Sequence, residues 1–408
     1  MRFHVVNLGC RVNRVESDAI AARLLQAGMT ADGDSPDVVI VNTCTVTGEA
    51  DKKTRKAVHR ALREHPEAVV VVTGCAAAID PETYRSMSER VRIVGKAGVA
   101  EAVMALDDGA LHGQVEREDV LRFGREFPTR VGIKVQDGCD NECTYCIVHV
   151  ARGKARSKPL SACVAEAEEL YRAGAREIVL TGIDLGSYRD GDAGLAQLVK
   201  CLMGRMPDAR VRISSIEPPS VDDDLVSVMA ESDGSVCRHL HLPLQSGSSR
   251  VLAQMGRSYT AQDYAQLVER LYGAMPSLSL STDIIVGFPG ETEEDFLETL
   301  QMVRRCRFAK VHAFRYSRRA GTPAAARADQ IPAEVIAERA ARLHEVSAEV
   351  RRQEQLARLG SEELLLVERE GMATSESFFS VRVDPGERRG DLVRRTLTTI
   401  GDDGIFSV

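Results

Sequence analysis

Short runs of β-branched and aliphatic residues alternate with helical repeats from the first residues onward. Between Arg2 and Val103 four such runs predict strands, Phe3 to Asn7, Val38 to Val41, Val69 to Val72 and Val91 to Val94. Between them, Glu16 to Gln26, with Ala19, Ile20, Leu24 and Leu25 on one side, and Ala50 to Glu64 read as helices. Strands separated by crossover helices predict an α/β domain over residues 1–106, a doubly wound parallel sheet. A polar and charged stretch with Pro128, residues 107–129, reads as a linker. Residues 130–331 then repeat the strand–helix unit six times, with strands at Val131 to Val135, Glu177 to Leu180, Val211 to Ile216, His239 to Leu244, Leu278 to Val286 and Val311 to Tyr316. Helices fit between them at Ala162 to Ala173, Tyr264 to Met275 and Asp295 to Cys306, the last with Thr292 as N-cap and Asp295 completing a capping box. Six units predict a partial (β/α)6 barrel with its site at the strand carboxyl ends. A charged helix follows over 332–360. The last segment, 361–408, changes to short β-prone runs, Glu363 to Val367, Phe378 to Val383, Leu392 to Thr399 and Ile405 to Val408, and predicts a small all-β module.

Three of the ten cysteines, Cys10, Cys44 and Cys75, each fall just beyond the carboxyl end of a separate strand of the first domain. Their separations of 34 and 31 residues each match roughly one βαβ unit. Strand carboxyl ends form the ligand crevice of an open parallel sheet, so three thiolates distant in sequence are expected to converge there. One buried cysteine is ordinary packing; the same placement three times over favours a shared site. The strongest local pattern is Cys139-Asp-Asn-Glu-Cys143-Thr-Tyr-Cys146, directly after the first strand of the second domain. Three thiolates on one tight loop suit three irons of a cubane cluster, leaving the fourth iron open. A zinc site with His149 as fourth ligand is the alternative. Cys163, Cys201, Cys237 and Cys306 have no partner spacing and are expected to pack.

Hydrophobic residues at 44% and charged residues at 28% describe a globular protein and exclude disorder. The N-terminus lacks the layout of a secretory signal, and no apolar run approaches the ~18 residues that span a bilayer, so a cytoplasmic location is expected and disulfides are not. A net charge of −7 argues against a protein that coats nucleic acid. Local basic patches remain. Lys52, Lys53, Arg55, Lys56, Arg60 and Arg63 crowd one helix, either as phosphate contacts or as a solvated face paired with Glu49, Asp51 and Glu64. Arg152, Lys154, Arg156 and Lys158 form a second basic segment. In the C-terminal module ten acidic residues oppose six arginines. Arg382, Arg388, Arg389, Arg394 and Arg395 are still expected on one face, with Phe378 or Phe379 available for stacking on bases.

The cysteine loop, with Tyr145 before its last thiol and a six-unit barrel behind it, resembles the radical S-adenosylmethionine (SAM) superfamily. That resemblance implies that the amino and carboxylate groups of SAM chelate the open iron and that Tyr145 lies against its adenine. Gly182, Ser214, Glu217, Gln245 and Ser246, at or just past predicted strand ends, are then the expected SAM contacts.

Over nearly the whole chain the remaining motifs resemble the methylthiotransferases of that superfamily. Asn7 to Ser17, Asn42 to Thr47 and Ala50 to Arg55 are similar to its MtaB-like branch, as are Thr181 to Tyr188, Ser214 to Pro218, Leu242 to Ser248, Asp283 to Thr292 and Tyr316 to Pro323. The resemblance implies an auxiliary 4Fe-4S cluster on Cys10, Cys44 and Cys75, beside the radical cluster on Cys139, Cys143 and Cys146. It also implies a TRAM domain, an RNA-binding β-barrel, at the C-terminus. The implied activity is methylthiolation of carbon 2 of N6-threonylcarbamoyladenosine at position 37, in the anticodon loop of tRNA, consuming two SAM per product. An electron donor such as flavodoxin or ferredoxin and a sulfur source are the further implied partners, and no membrane is involved. The unactivated C–H bond at that carbon explains the need for a radical cofactor. His149 departs from the family, which usually has Pro there. Three alternatives stay open: the branch acting on isopentenyladenosine, which usually has Arg-Glu where Val46 and Thr47 stand here, the branch modifying an aspartate of a ribosomal protein, and a non-enzymatic zinc protein that binds RNA.

Overall fold

The computed structural model describes residues 1–45, 48–106 and 129–408. Two compact units share them: the described residues of Met1–Phe127 with Gly138–Asn141 and Cys146–Lys154 form one, and those of Pro128–Asp137 with Glu142–Tyr145 and Ala155–Val408 form the other. The expected linker lies outside the described residues except for Thr129. Val46 and Thr47 lie outside them too. The domain boundary expected at residue 130 needs one amendment, because the flanks of the Cys139–Cys146 loop belong to the first unit.

In the first unit, strands β1 (Arg2–Asn7), β2 (Thr30–Ala31), β3 (Val38–Thr43), β4 (Val69–Gly74) and β5 (Val91–Ile93) form one parallel sheet in the order β2-β1-β3-β4-β5. Its helices are α1 (Arg11–Gln26), α2 (Gly48–Glu64), α3 (Cys75–Ile79), α4 (Pro81–Arg85) and α5 (Val99–Met104). Side chains alternate across a strand, so Val38 and Ile40 pack with Ile20, Leu24, Val99 and Val103 on one face, while Val39 and Val41 pack with Val58, Ala61 and Tyr84 on the other. Burial on both faces is why β3 reads as an unbroken apolar run.

Short helix α6 (Val148–Arg152) also belongs to this unit. In the second unit β6 (Arg130–Lys134), β9 (Glu177–Thr181) and β10 (Arg210–Ile213) make one parallel group, and β11 (His239–His241), β12 (Ser279–Val286) and β13 (Lys310–Arg315) another. A parallel bridge between Ser215 and His241 joins them, giving a six-stranded partial barrel in chain order. The second unit also holds a small ribbon of β7 (Gln136–Asp137) and β8 (Arg156–Ser157). The intervening helices are α7 (Leu160–Arg172), α8 (Leu195–Arg205), α9 (Asp223–Ala230), α10 (Ser249–Gln254), α11 (Ala261–Ala274), α12 (Glu293–Arg305) and α13 (Pro323–Ala326). The Thr292 and Asp295 capping box forms as expected. Helix α14 (Ala333–Ala357) leads to the C-terminal module.

That module is a curled sheet of β14 (Glu362–Arg369), β15 (Met372–Ser375), β16 (Ser380–Arg382), β17 (Leu392–Thr396), β18 (Thr399–Ile400) and β19 (Phe406–Ser407), ordered β17-β14-β15-β16-β19-β18. It attaches at the amino ends of the barrel strands. Glu177, the first residue of β9, accepts hydrogen bonds from Arg210 Nε at 2.7 Å and Arg212 Nε at 2.6 Å, all three side chains being fully buried. The same guanidinium groups donate onward to the module backbone, Arg210 to the carbonyls of Leu364 and Thr374 at 2.6 and 2.9 Å, and Arg212 to those of Glu376 and Ser375 at 3.1 Å each.

This attachment corrects two expectations. Phe379 is buried in the module core against Phe406, and Phe378 is covered by the guanidinium groups of Arg212 and Arg130 and the ring of His239, so neither is available to stack on a base. The expected basic face is internally neutralised as well: Arg382 pairs with Asp403, Arg395 with Glu387, Arg394 with Asp233 and Arg388 with Asp391, while Arg389 donates to the Glu368 carbonyl.

Candidate active site

In the first unit the three thiols follow three adjacent strands. Cys44 and Cys75 come directly after the carboxyl ends of β3 and β4, and Cys10 follows β1 after Leu8 and Gly9; the three strands are neighbours in the sheet, so the ~4.8 Å strand spacing sets the scale of their approach. Cys44 and Cys75 are buried and Cys10 is exposed. Gly9 allows the first loop to close on the second: its φ is +139°, and a Cβ there would come 2.9 Å from Cys44 Sγ. Asn13, buried in the first turn of α1, knits the loops together. Its Nδ2 donates to the Thr43 carbonyl at 2.8 Å and its Oδ1 lies 3.5 Å from Cys10 Sγ. Two cations point at the third thiol, with Lys96 Nζ and Arg152 Nε each donating to Cys75 Sγ at 3.3 Å.

Arg152 is a finding that composition concealed. Expected only as one cation of a second basic segment, it is buried, with Nη1 on Glu16 Oε1 at 2.7 Å and Nη2 on Asn13 Oδ1 at 2.8 Å. Within the same unit, the Cys139 amide donates to the Gly153 carbonyl at 3.1 Å, and the Val148 amide donates to Cys146 Sγ at 3.4 Å.

Cys143 and Tyr145 belong to the second unit. Thr144 anchors their part of the loop: its amide donates to the Met255 carbonyl at 2.9 Å and its hydroxyl to the Gln254 carbonyl at 2.8 Å. Tyr145 packs edge-on to Phe288, ring centres 6.4 Å apart, beside Met255 and Ile285. Arg257 is the central charge here. Its Nη1 donates to Cys143 Sγ at 3.3 Å, its Nη2 pairs with Glu217, and its guanidinium covers the Tyr259 ring at 5.0 Å. Burial pushes the Glu217 carboxyl up, and the Arg257 charge opposes that rise. Arg257 carried no sequence signal, because a lone Arg between helices has neither periodicity nor partner spacing.

The other expected cofactor contacts divide. Gly182 follows β9 against Gln136, and a Cβ there would meet Gln136 Oε1 at 2.9 Å. Gln136 Oε1 itself accepts from the amides of Ile183 and Asp184 at 3.0 and 2.9 Å, which shapes the strand-end loop. Ser214 is buried just past β10, its amide on the Leu180 carbonyl. Gln245 has φ +66° and is held by β12, its amide donating to the Asp283 carbonyl and its carbonyl accepting from Ile285. Ser246 is the one that departs from a cofactor contact: it is fully buried, with its hydroxyl 3.4 Å from Thr299 Oγ1 and accepting from the Ser248 amide. It serves loop-to-helix packing. A set that sequence reading missed, His241, Asp283 and His312, converges from β11, β12 and β13 with ligating atoms within 4.8 Å of one another. Ser281 Oγ fixes His241 Nδ1 at 2.9 Å.

Comparison with known proteins decides what this arrangement is. Residues 133–303 match the radical SAM superfamily and residues 2–95 the uncharacterised protein family UPF0004. The chain is 39% identical to the threonylcarbamoyladenosine tRNA methylthiotransferase MtaB of Bacillus subtilis, covering 84% of this chain and 78% of that protein. To its namesake from Thermotoga maritima it is 35% identical over 99% of this chain and 96% of that one. The chain belongs to the radical-SAM methylthiotransferase family, in its MtaB-like branch. It is also 35% identical to a tRNA-2-methylthio-N(6)-dimethylallyladenosine synthase of Mycolicibacterium vanbaalenii, over 98% of this chain and 83% of that protein. A solved radical SAM methyltransferase, TsrM from Kitasatospora setae, has the same fold, with a TM-score of 0.56 at 16% identity over 77% of this chain and 72% of that one.

A radical-SAM methylthiotransferase is an enzyme that uses 4Fe-4S clusters and SAM, and family membership displaces the zinc alternative and the non-enzymatic reading that went with it. The residues fit two clusters. Each set supplies three soft thiol donors, and each has a guanidinium nitrogen at 3.3 Å from a sulfur, where its positive charge and N–H offset the charge of a thiolate. Of the remaining thiols, Cys163, Cys237 and Cys306 are fully buried packing residues, where burial pushes Cys163 up to about 11 and Cys237 and Cys306 up to about 12, while Cys201 lies on α8. Among the described residues no helix is long and apolar enough to cross a membrane.

On α2, Thr54, Val58 and Ala61 are buried, which leaves the basic side chains outward. Lys53 lies 3.6 Å from Glu49 and Arg60 2.7 Å from Glu64, whereas Lys52, Arg55 and Lys56 make no ion pair among the described residues. The stripe is thus half paired and half available for phosphate.

Proposed function

We propose that this enzyme methylthiolates carbon 2 of N6-threonylcarbamoyladenosine at position 37 of tRNA, using two SAM per product. The observation that carries the reading is the likeness to MtaB proteins over both thiol-bearing units. When bound, clusters on Cys139, Cys143, Cys146 and on Cys10, Cys44, Cys75 supply the radical and sulfur chemistry that an unactivated C–H bond demands. The chain's own residues do the rest. Arg257 holds Cys143 and Glu217 in one cationic clamp at the barrel's carboxyl end, Tyr145 with Phe288 offers an aromatic wall for adenine, and Gly182, Ser214 and Gln245 present backbone and small polar groups at the strand ends. Lys52, Arg55 and Lys56 contact phosphates of the anticodon stem-loop. A flavodoxin or ferredoxin supplies electrons, a separate donor supplies sulfur, and the reaction takes place in the cytoplasm.

Nucleoside mass spectrometry of tRNA from cells with and without the gene tests the substrate. The 2-methylthio derivative of N6-threonylcarbamoyladenosine is expected to vanish in the deletion strain and to return with the wild-type gene. Loss of the dimethylallyl derivative alone would instead assign the chain the activity named for its Mycolicibacterium relative.

The interaction with RNA has its own test. Changing Lys52, Arg55 and Lys56 together to Gln is expected to weaken tRNA binding and to flatten the slope of log affinity against log salt by roughly 0.7 to 0.9 for each phosphate that is no longer neutralised. Iron content stays at the wild-type level. An unchanged salt slope would return α2 to a solvated face.

A further inference from the structure

Arg152 follows Cys146 by six residues, yet its guanidinium reaches the auxiliary thiol set. Helix α6, which carries it, belongs to the same compact unit as α3, whose first residue is Cys75. We propose that Arg152 is a positioning residue that pins the segment leaving the radical cluster loop onto the auxiliary cluster cysteines while donating a hydrogen bond to the Cys75 thiolate. The inference rests on the assignment of Cys10, Cys44 and Cys75 as iron ligands.

The geometry uses what only arginine has. The guanidinium is a rigid planar fork, and here its edges are divided among different partners: Nε to Cys75 Sγ at 3.3 Å, Nη1 and Nη2 to the two Glu16 oxygens at 2.7 and 3.2 Å, and Nη2 also to Asn13 Oδ1 at 2.8 Å. Glu16 and Asn13 both stand on α1, next to Cys10, so a single side chain links the segments bearing Cys10, Cys75 and Cys146. Its own side chain is 1% exposed and Glu16 is 9% exposed, so the pair is shielded from the screening that makes surface ion pairs weak. Lys96 also donates to Cys75 Sγ, at 3.3 Å, but comes from the other side of the sequence, after β5. It shares the electrostatic role of Arg152 and has no part in holding α6. Donors aimed at a cluster sulfur stabilise the more negative reduced state, so each raises the cluster's midpoint potential.

The test uses the full-length chain with Cys139, Cys143 and Cys146 changed to Ala, which leaves only the auxiliary set to hold iron. Into it go Arg152→Met, Arg152→Lys, Lys96→Met, and Arg152→Met with Glu16→Gln, the last removing the carboxylate charge that the single change would leave without its guanidinium. Two readouts are taken: the auxiliary midpoint by dithionite titration followed by electron paramagnetic resonance, and amide hydrogen exchange of residues 148–152 in both iron-loaded and iron-free protein. Arg152→Met, alone and with Glu16→Gln, is expected to lower the midpoint and to speed exchange about tenfold. Lys96→Met lowers the midpoint and leaves exchange unchanged. Arg152→Lys recovers part of the midpoint and none of the exchange protection, because an ammonium gathers its donors on one nitrogen at the end of a flexible stem and cannot span the partners that Nε, Nη1 and Nη2 reach from separate positions. Exchange at 148–152 that is unaltered by Arg152→Met overturns the pinning role, and a midpoint unaltered by it overturns the hydrogen bond to the thiolate. If the parental chain retains no iron, the ligand assignment has failed and the thiolate hydrogen bond with it, while exchange in iron-free protein still decides the pinning.

Discussion

With Cys10, Cys44 and Cys75 all changed to Ala, the enzyme is expected to retain roughly four irons per chain, to keep forming 5'-deoxyadenosine from SAM with dithionite, and to lose methylthiolation entirely. The three thiols lie beyond the strand ends, outside the apolar layers of Val38, Ile40 and Leu24 on one face and Val39, Val41 and Val58 on the other, so the sheet keeps its core without them. The other set, on the Cys139–Cys146 loop, keeps its thiolates. The reciprocal change of Cys139, Cys143 and Cys146 to Ala removes 5'-deoxyadenosine formation and leaves the auxiliary iron in place. Iron content, 5'-deoxyadenosine and modified nucleoside are measured on both variants at matched protein concentration. A folded N-terminal variant that still holds four irons but forms no 5'-deoxyadenosine would falsify the division of labour.

The largest stability effect is expected at Glu177. Its carboxylate is fully buried between Arg210 and Arg212, and those two also carry the carbonyls of the C-terminal module. Burial by itself pushes the Glu177 carboxyl up, but the guanidinium groups of Arg212 and Arg210 outweigh it and hold the group well below the usual carboxylate range. Glu177→Gln leaves two buried guanidinium charges without their counterion, and the cost is about 3–5 kcal/mol. Urea denaturation under anaerobic conditions reads it as a lower midpoint, and limited proteolysis locates the first opening in 361–408. The pH dependence has a definite sign. A carboxyl depressed in the folded state contributes fully above its unfolded value near ~4.3, and that contribution is lost as pH falls below it. Between about pH 5 and pH 3 the wild type should therefore lose stability more steeply than Glu177→Gln. Parallel acid profiles would mean that Glu177 titrates alike in the folded and unfolded chain.

Where propensity and burial agree, the sequence predicts the elements within a residue or two. β3 and β4 are unbroken Val and Ile runs because both faces of the sheet are covered. The misses have local causes. Helix α1 begins at Arg11, five residues before the apolar pattern that marks it, because its first turn serves the site: Cys10 is the N-cap and Asn13 spends its amide on the neighbouring loops. The run expected from His239 to Leu244 ends as a strand at His241, since Pro243 has no N–H, and the Thr282 hydroxyl takes over by accepting from the Leu244 amide and donating to the Leu242 carbonyl. Strand β15, Met-Ala-Thr-Ser, has little strand propensity and exists because β14 and β16 pair with it on both sides.

What the sequence determined by itself is the chemistry: six cysteines, three placed by βαβ spacing and three by one short loop, because ligand spacing and hydrophobic period are properties of the chain order. What only the tertiary structure decided is the charge around them. Arg152 and Arg257 look like any other arginines in the sequence, and Arg210 and Arg212 like surface cations of a short strand, yet all four are buried or nearly so, each beside a carboxylate far along the chain. Phe378, Phe379 and the arginines of the last segment were equally ambiguous, and became packing and internal ion pairs once their partners were in place. An ion pair is set by distance in space and by exclusion of water, and neither quantity is written in local order or composition.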